Sequence, residues 1–251
     1  MPTIDINCDL GESFVHYAMG NDEAVFPFIT SCNVACGFHG GDPLHIENTI
    51  RKALTYGINI GAHPSYPDLQ GFGRRPMKIA PEELKALLKY QIAAVKGLTE
   101  SLGGRLKHVK PHGALYNAAA VDEWEAECVL EAVAEMDGQL ILLGMAGSVM
   151  EEMAHKRGMP FIAEAFADRA YTAAGLLKSR KEPDSVIFDP HQAAHQVLNL
   201  VERQEVRSDT GAWVTVKAQS ICLHGDNPNV VAIVQTIHLI LSQNSISISP
   251  F

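Results

Sequence analysis

The stretch TIDINCDLGE, residues 3–12, decides the fold of this chain. It begins as a short strand-like run over Thr3–Cys8, and two carboxylates follow at once, Asp9 and Glu12. The same order recurs along the sequence: short apolar runs end in charged residues or histidines, and longer stretches with helical spacing separate them. Alternation of this kind is typical of β/α units in a parallel sheet.

Seven strands and six long helices are predicted from this pattern. The strands are Thr3–Cys8, Cys32–Cys36, Ile58–Ala62, His108–Lys110, Leu140–Leu143, Phe161–Ala165 and Ser220–Leu223. The helices are Pro43–Tyr56, Pro81–Leu102, Asp122–Met136, Gly147–Arg157, Pro190–Arg203 and Pro228–Ser242. The carboxyl ends of the strands of a closed parallel sheet open on one face, so side chains scattered over the sequence can converge there. We therefore predict one α/β domain over residues 1–251, an irregular TIM-like barrel of seven strands.

The composition argues against two classes of binding partner. A formal charge of -9 and a pI near 5.6 argue against a nucleic acid or an anionic membrane surface. No secretory signal is recognised at the start of the sequence, and the most apolar run, Val230–Leu241, is too short to span a membrane. Small anionic ligands remain compatible with local clusters of Lys and Arg.

The five cysteines have no C-x-x-C pair and no regular spacing, which predicts reduced thiols and a cytoplasmic location. We expect Cys8, Cys32 and Cys222 to be small buried hydrophobes within strands. A nucleophilic Cys8 or Cys36 is the alternative, because both neighbour the strand ends.

Two segments near the amino terminus carry candidate catalytic groups. In NCDLGE, Asp9 and Glu12 suit general acid/base work or metal ligation, since the charge of one can keep the other protonated. In ACGFHGGDP, residues 35–43, His39 is a catalytic candidate beside two glycines that let a ligand approach the backbone. Asp42 most simply caps the next helix, and we keep it as a substrate-binding candidate.

The long loops after two strands, Pro64–Pro76 and Asp168–Asp189, are expected to be functional. His63 directly precedes the first, in GAHPSYPD, and GFGRR within it supplies the adjacent cations Arg74 and Arg75. Guanidinium groups grip carboxylates in a bidentate fork, so the pair is a candidate clamp for a substrate carboxylate.

Three further segments complete the candidate site. VKPHGALY places Lys110 and His112 on either side of a proline, so both should point into one pocket. Catalytic candidates also follow the last strand, where CLHGDNP contains His224 and Asp226. EAFADRAY supplies three substrate-binding candidates, which are Glu164, Asp168 and Arg169.

Other patterns receive structural interpretations. His191 and His195 are one helical turn apart but lack the glutamate of a metalloprotease helix, so we predict surface residues. His45, His108, His155 and His238 are expected to be structural. The sequence has no G-x-x-x-x-G-K-[ST], no G-x-G-x-x-G that opens a helix and no G-x-S-x-G, so no ATP site, dinucleotide site or serine nucleophile is recognised.

Six segments in order, NCDLGESF, ACGFHGGDP, GAHPSYPDLQGFGRR, VKPHGALYN, FADRAY and ICLHGDNP, resemble the LamB/YcsF family, which is also known as the family of 5-oxoprolinase A-type subunits. The resemblance extends from Asn7 to Pro228; Val15, His16 and the segment Pro76–Ile79 depart from the family pattern, outside the charged positions. It implies a (β/α)-barrel of the glycoside hydrolase/deacetylase type. It also implies ATP-dependent opening of the lactam 5-oxoproline to glutamate, together with two partner subunits of the B and C type.

Because the chain has no recognised nucleotide site, we expect the partners to bind most of the ATP and to activate the lactam. Arg74, Arg75 or Lys110 would then hold a carboxylate or phosphate, and the acidic and histidine groups would activate water or protonate the leaving nitrogen. Deacetylase-like barrels hold a divalent ion with one Asp and two His, which Asp9, His39, His63 and His112 could imitate. The resemblance leaves the metal open, and the sequence does not fix the oligomeric state, so a homo-oligomer stays open too.

Two other functions are compatible with these residues. The first is a metal-dependent deacetylase or amidase that works alone and without ATP. The second is a non-catalytic component that binds the lactam and regulates its use. The first predicts turnover by this chain alone, and the second predicts ligand binding that survives loss of Asp9 and His112.

Overall fold

The computed structural model describes residues 2–251. The strands are β1 Thr3–Leu10, β2 Ser31–Ala35, β3 Asn59–His63, β4 Leu106–Val109, β5 Ile141–Met145, β6 Phe161–Phe166, β7 Glu205–Arg207, β8 Trp213–Thr215, β9 Ser220–His224 and β10 Ser247–Ile248. The helices are α1 Asp22–Val25, α2 Pro43–Tyr56, α3 Pro81–Ser101, α4 Gly113–Ala119, α5 Glu123–Met136, α6 Val149–Lys156, α7 Pro190–Arg203 and α8 Val230–Gln243, with a 3₁₀ turn at Phe26–Phe28.

Seven parallel strands close into a barrel in the order β1-β2-β3-β4-β5-β6-β9, because β1 also pairs with β9. The register sets Asp9 opposite Asn33 on one neighbour and opposite His224 on the other. β7 and β8 form an antiparallel hairpin outside the barrel. The predicted seven-stranded barrel is therefore confirmed.

The barrel strands alternate between two environments. On β1 the even-numbered residues Ile4, Ile6 and Leu10 belong to the apolar core. The odd-numbered Asp5, Asn7 and Asp9 are equally buried but bond to polar side chains of other strands, so they face the inside of the barrel. Successive strand residues point to opposite faces, and here one face packs on the helices while the other fills the barrel with polar groups.

Several helices start as the sequence predicts. Asp42 and Asp189 cap α2 and α7 through backbone N–H groups of the first turn, with a proline at the first helical positions. The predicted start of the last helix at Pro228 is wrong, because α8 begins at Val230. Asn227, just before it, donates its side-chain amide to Asp168 and to the Ile187 carbonyl. The Asn side chain thus supports the loop after β6.

All seven barrel strands end one or two residues away from the predicted position. β1, β3, β5, β6 and β9 extend further, so Asp9, His63 and His224 lie on strands and not after them, whereas β2 and β4 each end one residue earlier and Lys110 lies just after β4. α1 and α4 were not predicted, because both are short and one follows the VKPHG segment directly. The carboxyl-terminal segment adds β10 beside Thr3 and Ile4. Within residues 2–251, no helix is long and apolar enough to cross a membrane.

Candidate active site

The centre of the barrel mouth is a buried ion pair between Asp9 and Lys110. Lys110 Nζ donates to Asp9 Oδ1 at 3.0 Å and lies 2.8 Å from Glu164 Oε1. Burial alone would raise the pKa of Asp9, but the contacts with His63 and the charge of Lys110 hold it well below its usual value. Burial likewise opposes the charge on Lys110, but Asp9, Cys222 and Glu164 keep its pKa well above its usual value. Both groups are therefore ionised at neutral pH.

Lys110 has no hydrogen left for a ligand. Besides the two carboxylates, its Nζ contacts Cys222 Sγ at 3.0 Å and Asn7 Oδ1 at 3.3 Å, which exceeds the three donors of an ammonium group. Glu164 is fully buried below, where its other oxygen accepts from the Tyr116 hydroxyl at 2.8 Å. The structure thus places Glu164, expected to bind substrate, beneath Lys110 and away from solvent.

Three histidines surround this pair, and carbonyl and hydroxyl oxygens fix their tautomers. His63 Nδ1 donates to the Lys110 carbonyl at 2.7 Å, and His112 Nε2 donates to the Phe72 carbonyl at 2.8 Å. Since a carbonyl only accepts, the remaining nitrogens, His63 Nε2 and His112 Nδ1, carry lone pairs; they face each other at 2.9 Å. Two lone pairs at that distance repel, so a shared proton or a cation is needed between them.

Glu12 and His39 form a second pair behind His112. The Ser65 hydroxyl donates to the Tyr66 carbonyl, so it accepts from His39 Nδ1 at 3.1 Å, and His39 Nε2 faces Glu12 Oε1 at 3.1 Å. Burial raises the pKa of Glu12 well above its usual value, with the Asp9 charge adding to it, and burial lowers the pKa of His39. Both shifts favour a proton on the carboxyl group and a neutral imidazole when no metal ion is bound.

These residues fit a metal ion. One ligand atom each from Glu12, His39, His63 and His112 lies within 4.8 Å of all the others, and all four residues are buried. The lone pairs of the three histidines point inward, and their other nitrogens donate outward, as in known zinc sites. Three imidazoles with one carboxylate are a donor set that Zn²⁺ accepts. Asp9, expected to be the carboxylate of the set, lies next to it instead, with Oδ2 3.3 Å from His63 Nε2.

The loop over residues 64–76 closes against the histidines. Gly73 has a φ of +64°, and a Cβ there would come within 2.7 Å of the His112 ring and 2.8 Å of His39. Glycine therefore lets this backbone lie directly on the imidazoles. The expected arginine clamp is split: Arg74 donates to Asp226 at 2.6 Å, while Arg75 pairs with Asp68 and is largely exposed.

A second carboxylate–histidine pair lies across the mouth. Asp168 Oδ1 accepts from His224 Nδ1 at 2.7 Å, and the His224 ring stacks on Phe166. Burial opposes ionisation of Asp168, but the charge and hydrogen bond of His224 hold its pKa below the usual value. Because the Nδ1 proton is held by Asp168, Nε2 of His224 is left to the cavity.

A cavity of about 380 Å³ opens above these groups. The candidate residues that line it are Asp9, His63, Arg74, Lys110, His112, Arg169 and His224. Glu12 and His39 lie behind His112. Asp168 and Asp226 bond to the cavity residues His224 and Arg74. Asp42 caps α2 and accepts from the Val15 N–H. Cys8, Cys32 and Cys222 are buried as predicted, and burial raises the pKa of Cys36 to about 12, which disfavours a thiolate nucleophile there.

Sequence reasoning missed the polar support inside the barrel and one cation. Asn33 Nδ2 donates to Asp9 at 2.8 Å, and Asn7 donates to Glu164 at 2.8 Å. The alternation of polar and apolar residues in DINCD could have revealed this interior face. Arg180, which lines the cavity from the loop after β6, had no motif around it.

A closed parallel β/α barrel with a carboxylate–histidine centre at the carboxyl ends of its strands defines the class of this protein. The LamB/YcsF family model matches residues 4–251, and the chain belongs to that family. It is 48% identical over 247 residues to the A-type subunit of 5-oxoprolinase from Bordetella parapertussis, covering 98% of each chain.

Solved structures agree with the fold. A lactam utilization protein from Thermus thermophilus superposes with a TM-score of 0.93 at 41% identity, covering 99% of this chain and 100% of that one. The catalytic domain of a peptidoglycan N-acetylglucosamine deacetylase from Eubacterium rectale superposes with a TM-score of 0.54 at 10% identity, covering 100% of this chain and 88% of that one. This second likeness concerns the fold alone.

Proposed function

We propose that this chain opens the ring of 5-oxoproline to give glutamate, as the hydrolytic subunit of a complex whose B- and C-type partners use ATP to activate the lactam. The names of the relatives support the substrate and the assembly. The observation that carries the proposal is a set of buried acidic and histidine groups: Asp9, His63 and His112 line the cavity, and Glu12 and His39 lie behind them.

Opening the activated lactam requires that water add to the carbonyl carbon and that the nitrogen take a proton as the C–N bond breaks; a phosphoryl group placed on the carbonyl oxygen by the partners would leave as inorganic phosphate. His63, with its Nδ1 proton tied to a carbonyl and Asp9 at its other nitrogen, is suited to take the proton from water. Glu12 is suited to donate a proton to the leaving nitrogen, because its pKa is raised and its carboxyl group contacts His39 within the histidine cluster. His224 offers a further Nε2 on the other side of the cavity.

The alternative form of this proposal has a divalent ion held by Glu12, His39, His63 and His112; these four groups are then ligands, and proton transfer is left to Asp9 and His224, which also line the cavity. Bound there, the ion would lower the pKa of a water molecule or polarise the carbonyl group. Elemental analysis of the purified protein checks this, and replacement of His112 by Ala should lower the metal content. Full activity of a sample that holds no metal after chelation would rule the ion out.

The decisive experiment measures glutamate release from 5-oxoproline by this chain alone, by the partners alone and by all subunits together, each with and without ATP. We expect product only from the complete mixture with ATP. The His112→Ala chain should form the complex but yield no glutamate. Full activity of that variant would refute the proposed site.

A second function, a deacetylase or amidase that acts alone with a metal, is favoured by the donor set of three histidines and one carboxylate. It predicts turnover of cyclic amides or amidated sugars without partners or ATP, in the first arm of the same experiment.

A further inference from the structure

The loop after β6, residues 168–189, lines the cavity with cations that the mechanism above does not use. Arg169, Lys178, Arg180 and Lys181 all reach the lining, in a protein whose net charge is -9. Together with Arg74 they are five cationic side chains in the cavity lining, which we call the cationic wall. Such a wall attracts anions.

The three guanidinium groups of this wall differ in what holds them. Arg74 donates to Asp226, and its guanidinium also lies 4.8 Å from the Phe72 ring centre. Arg169 is buried and donates to the Ser185 carbonyl at 3.1 Å and the Lys178 carbonyl at 2.6 Å, so it braces the loop. Within residues 2–251, no side chain or backbone group forms a hydrogen bond or an ion pair with the Arg180 guanidinium.

Arg180 is nevertheless not a solvated surface group. It is half-buried, and burial together with the nearby Arg74 charge lowers its pKa; the Asp226 and Asp168 carboxylates offset this shift only in part. A partly desolvated cation next to another cation is costly unless an anion joins them. The five donors of a guanidinium match two oxygens of a carboxylate or of a phosphoryl group.

We infer that Arg180 is the anchor for the oxyanion of the substrate, with Arg74 beside it, and that the loop over residues 168–189 is the specificity element of the cavity. The oxyanion is the carboxylate of the lactam or the phosphoryl group of its activated form; both offer the same oxygens. This inference rests on the proposed function for the identity of the substrate. The sequence predicted a clamp formed by the adjacent Arg74 and Arg75. The inference replaces it with Arg74 and Arg180, which lie on two different loops.

The test compares Arg180→Met, Arg180→Lys and a control, Arg105→Met, whose side chain is exposed before β4 at the opposite end of the barrel. In the complete complex, Arg180→Met should raise KM for 5-oxoproline about ten- to hundredfold, the range for a lost charge-assisted contact, with a smaller change in kcat. Arg180→Lys should recover part of the loss, and Arg105→Met should match the wild type. An unchanged KM in Arg180→Met overturns the inference and leaves the proposed function standing.

Binding to the isolated chain separates the two ideas. The probes are 5-oxoproline, 2-pyrrolidinone, which is the same ring without a carboxylate, and inorganic phosphate. Preference of the wild type for 5-oxoproline over 2-pyrrolidinone, lost in Arg180→Met, supports a carboxylate anchor; weakened phosphate binding alone supports a phosphoryl anchor. If the wild type shows no lactam turnover or binding but phosphate binding still depends on Arg180, the proposed function fails and the oxyanion site stands. If all three probes bind the wild type and Arg180→Met equally, or none binds the wild type, the anchor is refuted.

Discussion

Asp5 and Asp9 lie four residues apart on β1, both buried inside the barrel, yet their surroundings are opposite. Asp5, towards the amino end, accepts from the hydroxyl groups of Thr30 at 2.6 Å and Ser31 at 2.7 Å and from Ser220. Asp9, at the carboxyl end, contacts Lys110 and His63. Burial raises the pKa of Asp5 despite its hydroxyl donors, whereas His63 and the Lys110 charge lower the pKa of Asp9.

The difference separates support from chemistry within one strand. Neutral donors satisfy Asp5 without giving it a reactive neighbour. Asp9 is charged and lines the cavity, and it contacts His63, whose Nε2 carries a lone pair. Burial of a carboxylate therefore does not by itself indicate a catalytic group; the kind of donor that faces it decides.

The largest expected effect is on activity. Asp9→Asn removes the negative charge between Lys110 and His63, and we expect glutamate release by the complete complex to fall about 10²- to 10⁴-fold, the range for loss of an acid/base group. Asp5→Asn, the matched change at the other end, should retain activity. Equal losses in both variants would mean that the two ends do not differ in role.

Glu164→Gln tests the layer between the two aspartates. It leaves Lys110 with one carboxylate, and breaking a buried ion pair on one side costs about 3–5 kcal/mol in free energy of unfolding. Urea denaturation checks this, with the exposed Glu182→Gln as the control. A loss as small as that of the control would show that water or Asp9 alone compensates Lys110.

Thr30→Val should have a smaller effect, confined to stability. Its hydroxyl donates to Asp5 and accepts from the Ile6 N–H at 2.9 Å, so we expect a loss of about 1 kcal/mol in free energy of unfolding, with kcat unchanged. Thr55→Val, exposed on α2, is the control. A fall in kcat would connect the amino end of the barrel to the reaction.

The finest distinction is in pH dependence. Because its folded pKa is raised, ionisation of Asp5 costs stability: its contribution is fully present below the ordinary value of 3.8 and is lost as pH rises through the raised value. Asp9, with a lowered pKa, contributes above 3.8 and loses this as pH falls. In metal-free buffer between pH 3 and about 7, the destabilisation by Asp5→Asn should therefore shrink with rising pH, and that by Asp9→Asn should grow. Parallel slopes would contradict the opposite shifts.

The sequence was sufficient for the barrel because each β/α unit carries its own apolar period, and caps such as Asp42 and Asp189 fix helix starts locally. It was sufficient for convergence of Asp9, His63 and His112 because parallel strands share one open face. Strand ends were misplaced because a polar interior allows residues such as Asp9 to remain in the sheet, where an apolar criterion ends the strand.

The partners of each side chain could not be predicted. Arg74 and Arg75 are adjacent, yet one turns to Asp226 and the other to Asp68, and that choice depends on how the loop over residues 64–76 packs. Glu12 and not Asp9 joins the three histidines, because the turn at Gly11 brings it back over the mouth. Long-range contacts of this kind have no signature in the local sequence.

The polar interior has a consequence for how the protein can change over time. Asn7, Asn33, Lys110 and Glu164 each bond to two or more side chains from different parts of the fold, so replacing any one of them leaves another without a partner. Substitutions at these positions must occur together, whereas residues of the outer helices can be substituted one at a time. The inside of this barrel should therefore be inherited as a block, even between relatives that no longer act on the same molecule.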